Sequence, residues 1–513
     1  MSNSSKRSIL KGTLILTAAG FITRIIGFFY RILLSNSLGA EKMGVYQLVF
    51  PVYGICFTLF ASGIQTSLSR LVAAELGKNG CNDKKNIVRI LRVGMICSLS
   101  IALSLTGIIY LNADFIATRL LAEASCADSL RILCFCFPFC GITSCINGYY
   151  YGIQKTGVPA VTQLLEQCVR VVVVMAIATF FGEQNGTITC EIAVCGLVAG
   201  EIASNLFNIL SMILPKKTPN ACTFPTPRTK HIFRDLMQLA VPLTSNRLLI
   251  SVLSSVESVL IPIMLRRSGL SNHEALSIYG ILTGMALPFL MFPSAITNSL
   301  SVLLLPTISE AQALNNERRI SKATAMTIKY CLMIGILCTG VFITFGDALG
   351  LTIYNNKLAG SFMVILAWLC PFLYLTSTLS SVINGLGKAY ITLINSVVGL
   401  SIRILFVVFA IPKLGIWGYL IGVLVSQFVI SLLDLWAITK NIRFQANLVD
   451  WIVKPGLLSA ILGFFFYEVY LRFCTLLSFN KTILLFATIL CYCGVNVVLL
   501  YLTKLINIKE IKA

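Results

Sequence analysis

Charge is scarce in this sequence. Only 12% of its 513 residues are Asp, Glu, Lys or Arg, and 57% are hydrophobic. A soluble domain carries about 25% charged residues, so a set of two to four water-exposed domains is excluded. Acids are scarcer still: 20 Asp+Glu stand against 40 Lys+Arg, a net charge of +20. Histidine is nearly missing, with only His231 and His273, and neither lies in an apolar run, which argues against a buried catalytic histidine. No CxxC pair is set up for zinc. No GxxxxGK[ST] occurs; the nearest stretch, Gly387-Lys388, continues into Ala389 and lacks the first glycine. No long polar loop carries the paired acids of a glycosyltransferase. The first apolar run has no small-residue cleavage site, so a cleavable signal peptide is not expected. The sequence thus offers no catalytic constellation, and no enzyme activity, cofactor or metal is expected.

Long apolar runs are what the chain has in abundance. Its mean hydropathy is +0.86, and a membrane crossing needs about 20 mostly apolar residues. Fourteen runs qualify: 12–34, 44–68, 93–113, 129–151, 159–181, 191–214, 237–264, 276–304, 324–345, 360–384, 391–411, 416–437, 452–471 and 482–503. They are called spans 1 to 14 below. The expected fold is an all-α polytopic membrane protein. Of the 18 cysteines about thirteen fall inside these runs, for example Cys134, Cys136, Cys140 and Cys145, and read as small apolar fillers.

The cations sort by loop. With the N-terminus inside, 26 Lys and Arg fall in cytoplasmic segments, eight on the opposite side, and six within or at the edge of spans. This asymmetry follows the positive-inside rule and puts both termini in the cytoplasm. The positive balance is then a topology signal and not a sign of nucleic-acid binding.

Motifs recur six spans apart. Ser62-x-Ile64-x-x-Ser67-Leu68-Ser69 in span 2 matches Ser294-x-Ile296-x-x-Ser299-Leu300-Ser301 in span 8, 232 residues on. Ile146-Asn147-Gly148 matches Ile383-Asn384-Gly385 at an offset of 237, and Arg170 matches Arg403 at 233. Gly196-x-x-x-Gly200-x-x-x-Ser204 matches Gly418-x-x-x-Gly422-x-x-x-Ser426 at 222. An even spacing in spans implies a parallel repeat about an axis along the membrane normal. The expected organisation is an N-lobe over 1–214, a basic Pro-rich cytoplasmic linker over 215–236, a C-lobe over 237–440, and two additional helices with a cytoplasmic tail over 441–513.

A charged side chain inside a span needs a partner or a wet cavity. The cations there are Arg24, Arg31, Arg131, Arg170, Arg247 and Arg403; the acids are Glu166, Glu201 and Glu257, with Asp434 and Glu468 nearer span ends. Arginine stays charged and presents a planar fork that suits phosphate. Arg24 and Arg31, seven residues apart, share one face of span 1 and read either as an anion-binding stripe or as a snorkelling pair. Glu166 and Arg170 are an i,i+4 pair. Arg247 and Glu257 are expected to look into one cavity at different depths. Arg131 reads as an interface anchor, and Glu201 as a helix–helix hydrogen bond or a coupling group. Pro51, Pro138, Pro242, Pro288, Pro293 and Pro371 mark expected kinks.

Thr23-Arg24-Ile25-Ile26-Gly27-Phe28 with Arg31 resembles the first-helix motif of the multidrug/oligosaccharidyl-lipid/polysaccharide flippase superfamily. So do Phe292-Pro293-Ser294, Leu305-Pro306-Thr307-Ile308-Ser309-Glu310-Ala311 and Ile146-Asn147-Gly148-Tyr149. The likeness is to its stage V sporulation protein B and polysaccharide biosynthesis branch, related to the peptidoglycan lipid II flippases, and covers nearly the whole chain. The resemblance implies a flippase of the bacterial cytoplasmic membrane that moves a polyprenyl-pyrophosphate-linked saccharide by alternating access. Its cargo would be lipid II, for peptidoglycan or spore cortex, with membrane lipids and cell-wall synthesis proteins as partners. Cavity arginines serve the related flippases. Arg24 carries over directly, and Arg31 is displaced by one position. Spans 2 and 8 read Ile55-Cys56-Phe57 and Ile281-Leu282-Thr283 where those flippases have arginine. Arg247, Arg170 and Arg403 are the candidate replacements, with Glu166, Glu257 and Glu201 as charge partners or coupling-ion ligands. A drug/cation antiporter on the same fold, or a non-transporting scaffold, are the alternative readings.

Overall fold

The computed structural model describes residues 3–79, 84–181, 188–213, 229–442, 447–476 and 480–505. Most of the basic linker expected over 215–236, and the last eight residues of the tail, lie outside them. Helices make up the described chain, which holds no strand. A chain of apolar helices satisfies every backbone group within each segment, as a bilayer demands.

Eleven helices are long and apolar enough to cross a membrane, or thirteen if each of two bent pairs is one span. The fourteen runs read from sequence differ from this count at the N-terminus. There one helical stretch, Leu16–Leu76, runs for 61 residues and contains both span 1 and span 2. It is broken at Gly39, whose φ of 75° and ψ of 176° leave the helical region. Only glycine adopts that conformation at no steric cost.

The chain forms two compact units, Met1–Val259 and Leu260–Ala513. The division falls inside the helix Thr229–Arg267. In the first unit Ile64, Leu68 and Val72 of span 2 pack with Ile87, Ile90 and Leu91 and with Ile232 and Leu236. In the second, Leu304 and Ile308 of the helix after Pro293 pack with Ile328, Leu379, Ile383 and Ile438. Side chains on the outside are also apolar: Phe464 is 73% exposed and Leu490 71%. Such surfaces are untenable in water and ordinary against lipid.

The bends have identifiable causes. Span 4 is broken between Cys126–Leu133 and Cys136–Gly152 with a 42° bend, and span 10 between Lys357–Leu366 and Leu369–Gly385 with a 56° bend. Each second segment carries a proline as its third residue, Pro138 and Pro371. Proline fits the first turn of a helix without losing a hydrogen bond, so the helix restarts there; Pro51, Pro242 and Pro306 lie instead inside continuous helices. The two prolines are 233 residues apart, the offset that relates Arg170 to Arg403. Span 8 is interrupted by a wide π-turn at Ile281–Ala286 and by a break before Ser294, at Pro293.

The Gly-rich match between spans 6 and 12 does not carry into packing. A Cβ at Gly200 would come within 2.7 Å of the Glu166 carbonyl, whereas one at Gly422 would come within 2.4 Å of Phe406 Cβ. Gly399, the counterpart of Glu166, faces Ile430 instead. Spans 11 and 12 are thus engaged about two helical turns away from the register that the 222-residue offset implies. Small residues spaced by four mark a close-packing face on many membrane helices, and the spacing alone does not say which turn of the neighbour they meet.

All sixteen described cysteines are free, and most are buried. They fill space between helices, as read from the sequence.

Candidate functional site

Span 1 carries Arg24 and Arg31 on one face, both exposed. Arg24 makes no hydrogen bond to the described residues. Between them Gly27 lies against span 5, where a Cβ would stand 3.7 Å from Gln167 Oε1.

Span 5 supplies the ion pair expected at i,i+4: Arg170 Nη2 donates to Glu166 Oε1, with the side chains only 16% and 21% exposed. Glu201 of span 6 is buried, and Tyr30 and Tyr46 join it and Glu166 as electrostatic neighbours of Arg170. Tyr46 also feels Arg31. The close approach of spans 5 and 6 at Gly196 and Gly200 brings this group together. A Gly196 Cβ would sit 2.2 Å from Val174 Cγ2 and 3.1 Å from the Arg170 carbonyl, so a larger residue would have to displace the Val174 side chain. Glu166 holds the guanidinium directly, and Glu201 acts on it as a nearby charge site. One turn away the same helices are tied by a buried hydrogen bond from Thr162 Oγ1 to Asn208 Oδ1, 2.8 Å.

Arg247 is exposed, and its Nη1 donates to both the carbonyl and the hydroxyl of Ser62, at 2.7 and 2.6 Å. Sequence reasoning missed this contact, which joins residues 185 positions apart. Ser62 ends the π-turn Thr58–Ser62. Glu257, expected to share a cavity with Arg247, is buried, with 4% of its surface exposed. The two therefore have different surroundings. Arg131 is held by Asp114 at 2.6 Å and Asp128 at 2.8 Å in an exposed clamp.

In the second unit Arg403 is half-buried, and Gly399 occupies the position four residues before it. The intrahelical pair of span 5 is therefore not repeated in span 11. The strongest polar tie here is Asn395 Nδ2 to Asp434 Oδ1, 2.7 Å, with Asp434 1% exposed. Both residues lie near the same ends of the antiparallel spans 11 and 12, a signal the sequence did contain. Seven of the eight candidate site residues thus lie in the first unit, and Arg403 lies in the second.

A feature without a sequence signal is a groove of about 1190 Å³ in the second unit, bounded by spans 9, 10, 13 and 14. Ile336, Ile343, Phe372, Phe464 and Leu471 give it apolar walls, with Asp347 and Lys481 as its charged residues. Glycines thin those walls: a Cβ at Gly463 would lie 2.6 Å from Thr344 Oγ1.

Comparison with known proteins follows the same lines. Residues 9–312 match the model of the polysaccharide biosynthesis protein family. The chain is 27% identical over 468 residues to stage V sporulation protein B of Bacillus subtilis (strain 168), covering 90% of this chain and 89% of that one. It is 23% identical to the lipid II flippase MurJ of the same organism, over 89% of this chain and 87% of the relative. Among solved structures, lipid II flippase MurJ in an inward closed conformation superposes with a TM-score of 0.71 at 15% identity, covering 96% of this chain and all of that one. An inward-facing multidrug resistance MATE family transporter gives 0.64 at 17% identity, over 83% of this chain and 98% of that one. These superpositions establish a shared fold. The chain belongs to the polysaccharide biosynthesis protein family.

Proposed function

We propose that this member of the polysaccharide biosynthesis family is a flippase for a polyprenyl-pyrophosphate-linked cell-wall precursor, with lipid II as the cargo its relatives suggest. One observation carries the reading: Arg24 and Arg247 are exposed guanidiniums within spans, while the acids of those spans are buried or paired. An exposed charge at span depth requires a wet cavity, and a cavity whose open charges are arginines selects an anion. Arg24, Arg31 and Arg247 bind the pyrophosphate. Arg170 and Arg403 contribute positive potential from span 5 and from its repeat mate. The polyprenyl chain stays in lipid, and the sugar remains in water.

Transport proceeds by rocking of two lobes, spans 1–6 and 7–12. A membrane potential negative inside favours outward movement of an anion by about 2.3 kcal/mol per charge per 100 mV and draws the empty positive cavity back. Glu166, Glu201 and Glu257 are available as coupling-ion ligands if the potential is not the drive. A drug/cation antiporter fits less well, because it needs open acids, and Glu201 and Glu257 are 8% and 4% exposed.

Flipping of labelled lipid II in vesicles tests the reading. Arg24→Ala is expected to abolish it with the fold intact. Full transport by that variant sinks the anion cavity, whereas no transport by the native chain leaves the scaffold reading.

A further inference from the structure

Arg247 is held in an unusual way. Both of its contacts with Ser62 are made by one nitrogen, Nη1, to a carbonyl at 2.7 Å and to a hydroxyl at 2.6 Å. A guanidinium has five N–H donors in a planar fork. The two on Nη1 are used. The two on Nη2 and the one on Nε make no hydrogen bond to the described residues. Those three form the side-on edge that grips a phosphate with two parallel bonds.

The acceptor is also prepared. Ser62 closes the π-turn Thr58–Ser62, and a π-turn widens the helix and offers carbonyls outside the regular ladder. The Ser62 carbonyl accepts from Thr66 Oγ1 at 3.1 Å as well as from Arg247. One residue on, Gly63 is pressed against Thr244, so closely that a Cβ would overlap Thr244 Oγ1 at 1.9 Å. Further along the same helices Ser255 Oγ donates to the Pro51 carbonyl at 3.1 Å. Spans 2 and 7 therefore touch on both sides of Arg247 in this conformation. The arginine has an anchor and an open binding edge.

We propose that Ser62 is a positioning residue: it holds Arg247 by Nη1 so that the Nε–Nη2 edge is presented to the pyrophosphate. The proposal rests on the reading above that Arg247 binds an anionic headgroup. Ordering a long side chain before the ligand arrives removes a loss of freedom that binding would otherwise incur. It also makes arginine irreplaceable at 247, because lysine cannot hold Ser62 with one nitrogen and offer two others to phosphate.

The test uses the full chain in lipid nanodiscs, with farnesyl pyrophosphate as probe and farnesol as neutral control. Ser62→Ala is expected to weaken farnesyl pyrophosphate binding about tenfold, the equivalent of one hydrogen bond to a charged group. Ser62→Thr, which keeps the hydroxyl, is expected to stay within about threefold, and farnesol binding is expected to be the same in all variants. Arg247→Lys is expected to lose as much as Arg247→Ala. Native binding by Arg247→Ala overturns the anion-binding role of that residue itself. Weakened binding by Arg247→Ala beside native binding by Ser62→Ala overturns the positioning role alone. So does a Ser62→Thr protein as weak as Ser62→Ala, or an Arg247→Lys protein that binds like the native one. Thermal unfolding of each ligand-free variant separates lost positioning from lost fold.

Discussion

Spans 5 and 6 of the first unit and spans 11 and 12 of the second are built alike and charged differently. Each pair is antiparallel, carries one arginine at matching positions, and is tied by one buried side-chain hydrogen bond, Thr162–Asn208 or Asn395–Asp434. Yet Arg170 has Glu166 as an intrahelical partner and Glu201 as a neighbour, whereas Arg403 has Gly399 at the equivalent of Glu166. Gly399 lies against Ile430, and the second pair is engaged about two turns away from the register of the first. The prolines at the bends of the repeat are retained, while its small-residue contacts and its charges have diverged.

The sharpest way to break the comparison is at the close approach. Gly200→Leu drives a side chain into the backbone oxygen of Glu166, which cannot turn aside, while Gly399→Leu meets the Cδ1 and Cγ1 end of Ile430, which can take another rotamer. The first is expected to cost more than about 3 kcal/mol and to yield little folded protein; the second is expected to cost about 1–3 kcal/mol. Fluorescence-detected size exclusion and thermal unfolding in detergent read the difference. Equal losses would show that both pairs are backed by rigid neighbours.

Charge gives the next largest contrast. Removing both acids by Glu166→Gln with Glu201→Gln strands Arg170 in a buried site and is expected to cost about 3–5 kcal/mol, with the single variants milder because each leaves the other acid. Asp434→Asn keeps an acceptor for Asn395 and is expected to cost less than about 1 kcal/mol. A double variant as stable as the native chain would mean that Arg170 is compensated by water.

The smallest effect belongs to the polar ties. Thr162→Ala is expected to cost about 0.6 kcal/mol, an average value for a hydrogen bond between membrane helices. Asn395→Ala is expected to cost about 1–3 kcal/mol, since it leaves a buried carboxyl group without its partner. The reverse order in paired thermal unfolding would mark Asp434 as already satisfied by other groups.

Much of this was legible along the chain. Helical spans show as apolar runs, because lipid imposes the same solvent on every turn. The i,i+4 geometry of a single helix brings Glu166 to Arg170, and the bends near Pro138 and Pro371 follow from residues that fit the first turn of a helix. Missed were the Ser62–Arg247 bond, the burial of Glu257, and the groove beside spans 13 and 14. Each depends on which face of one span meets which turn of another, and apolar periodicity is a poor guide when both faces of a helix are apolar.

The sequence by itself determined a polytopic helical membrane protein, the breaks near Pro138, Pro293 and Pro371, and the arginines that lie within its spans. Those properties are local: hydropathy, proline and helical spacing act within one span. Only the tertiary structure decided that Arg247 is gripped by Ser62 with one edge left open, that Glu201 joins the Glu166–Arg170 pair, and that spans 11 and 12 engage two turns out of step. Contacts between membrane helices are set by close packing and by a few polar groups, and these choose among registers that the apolar pattern leaves equivalent.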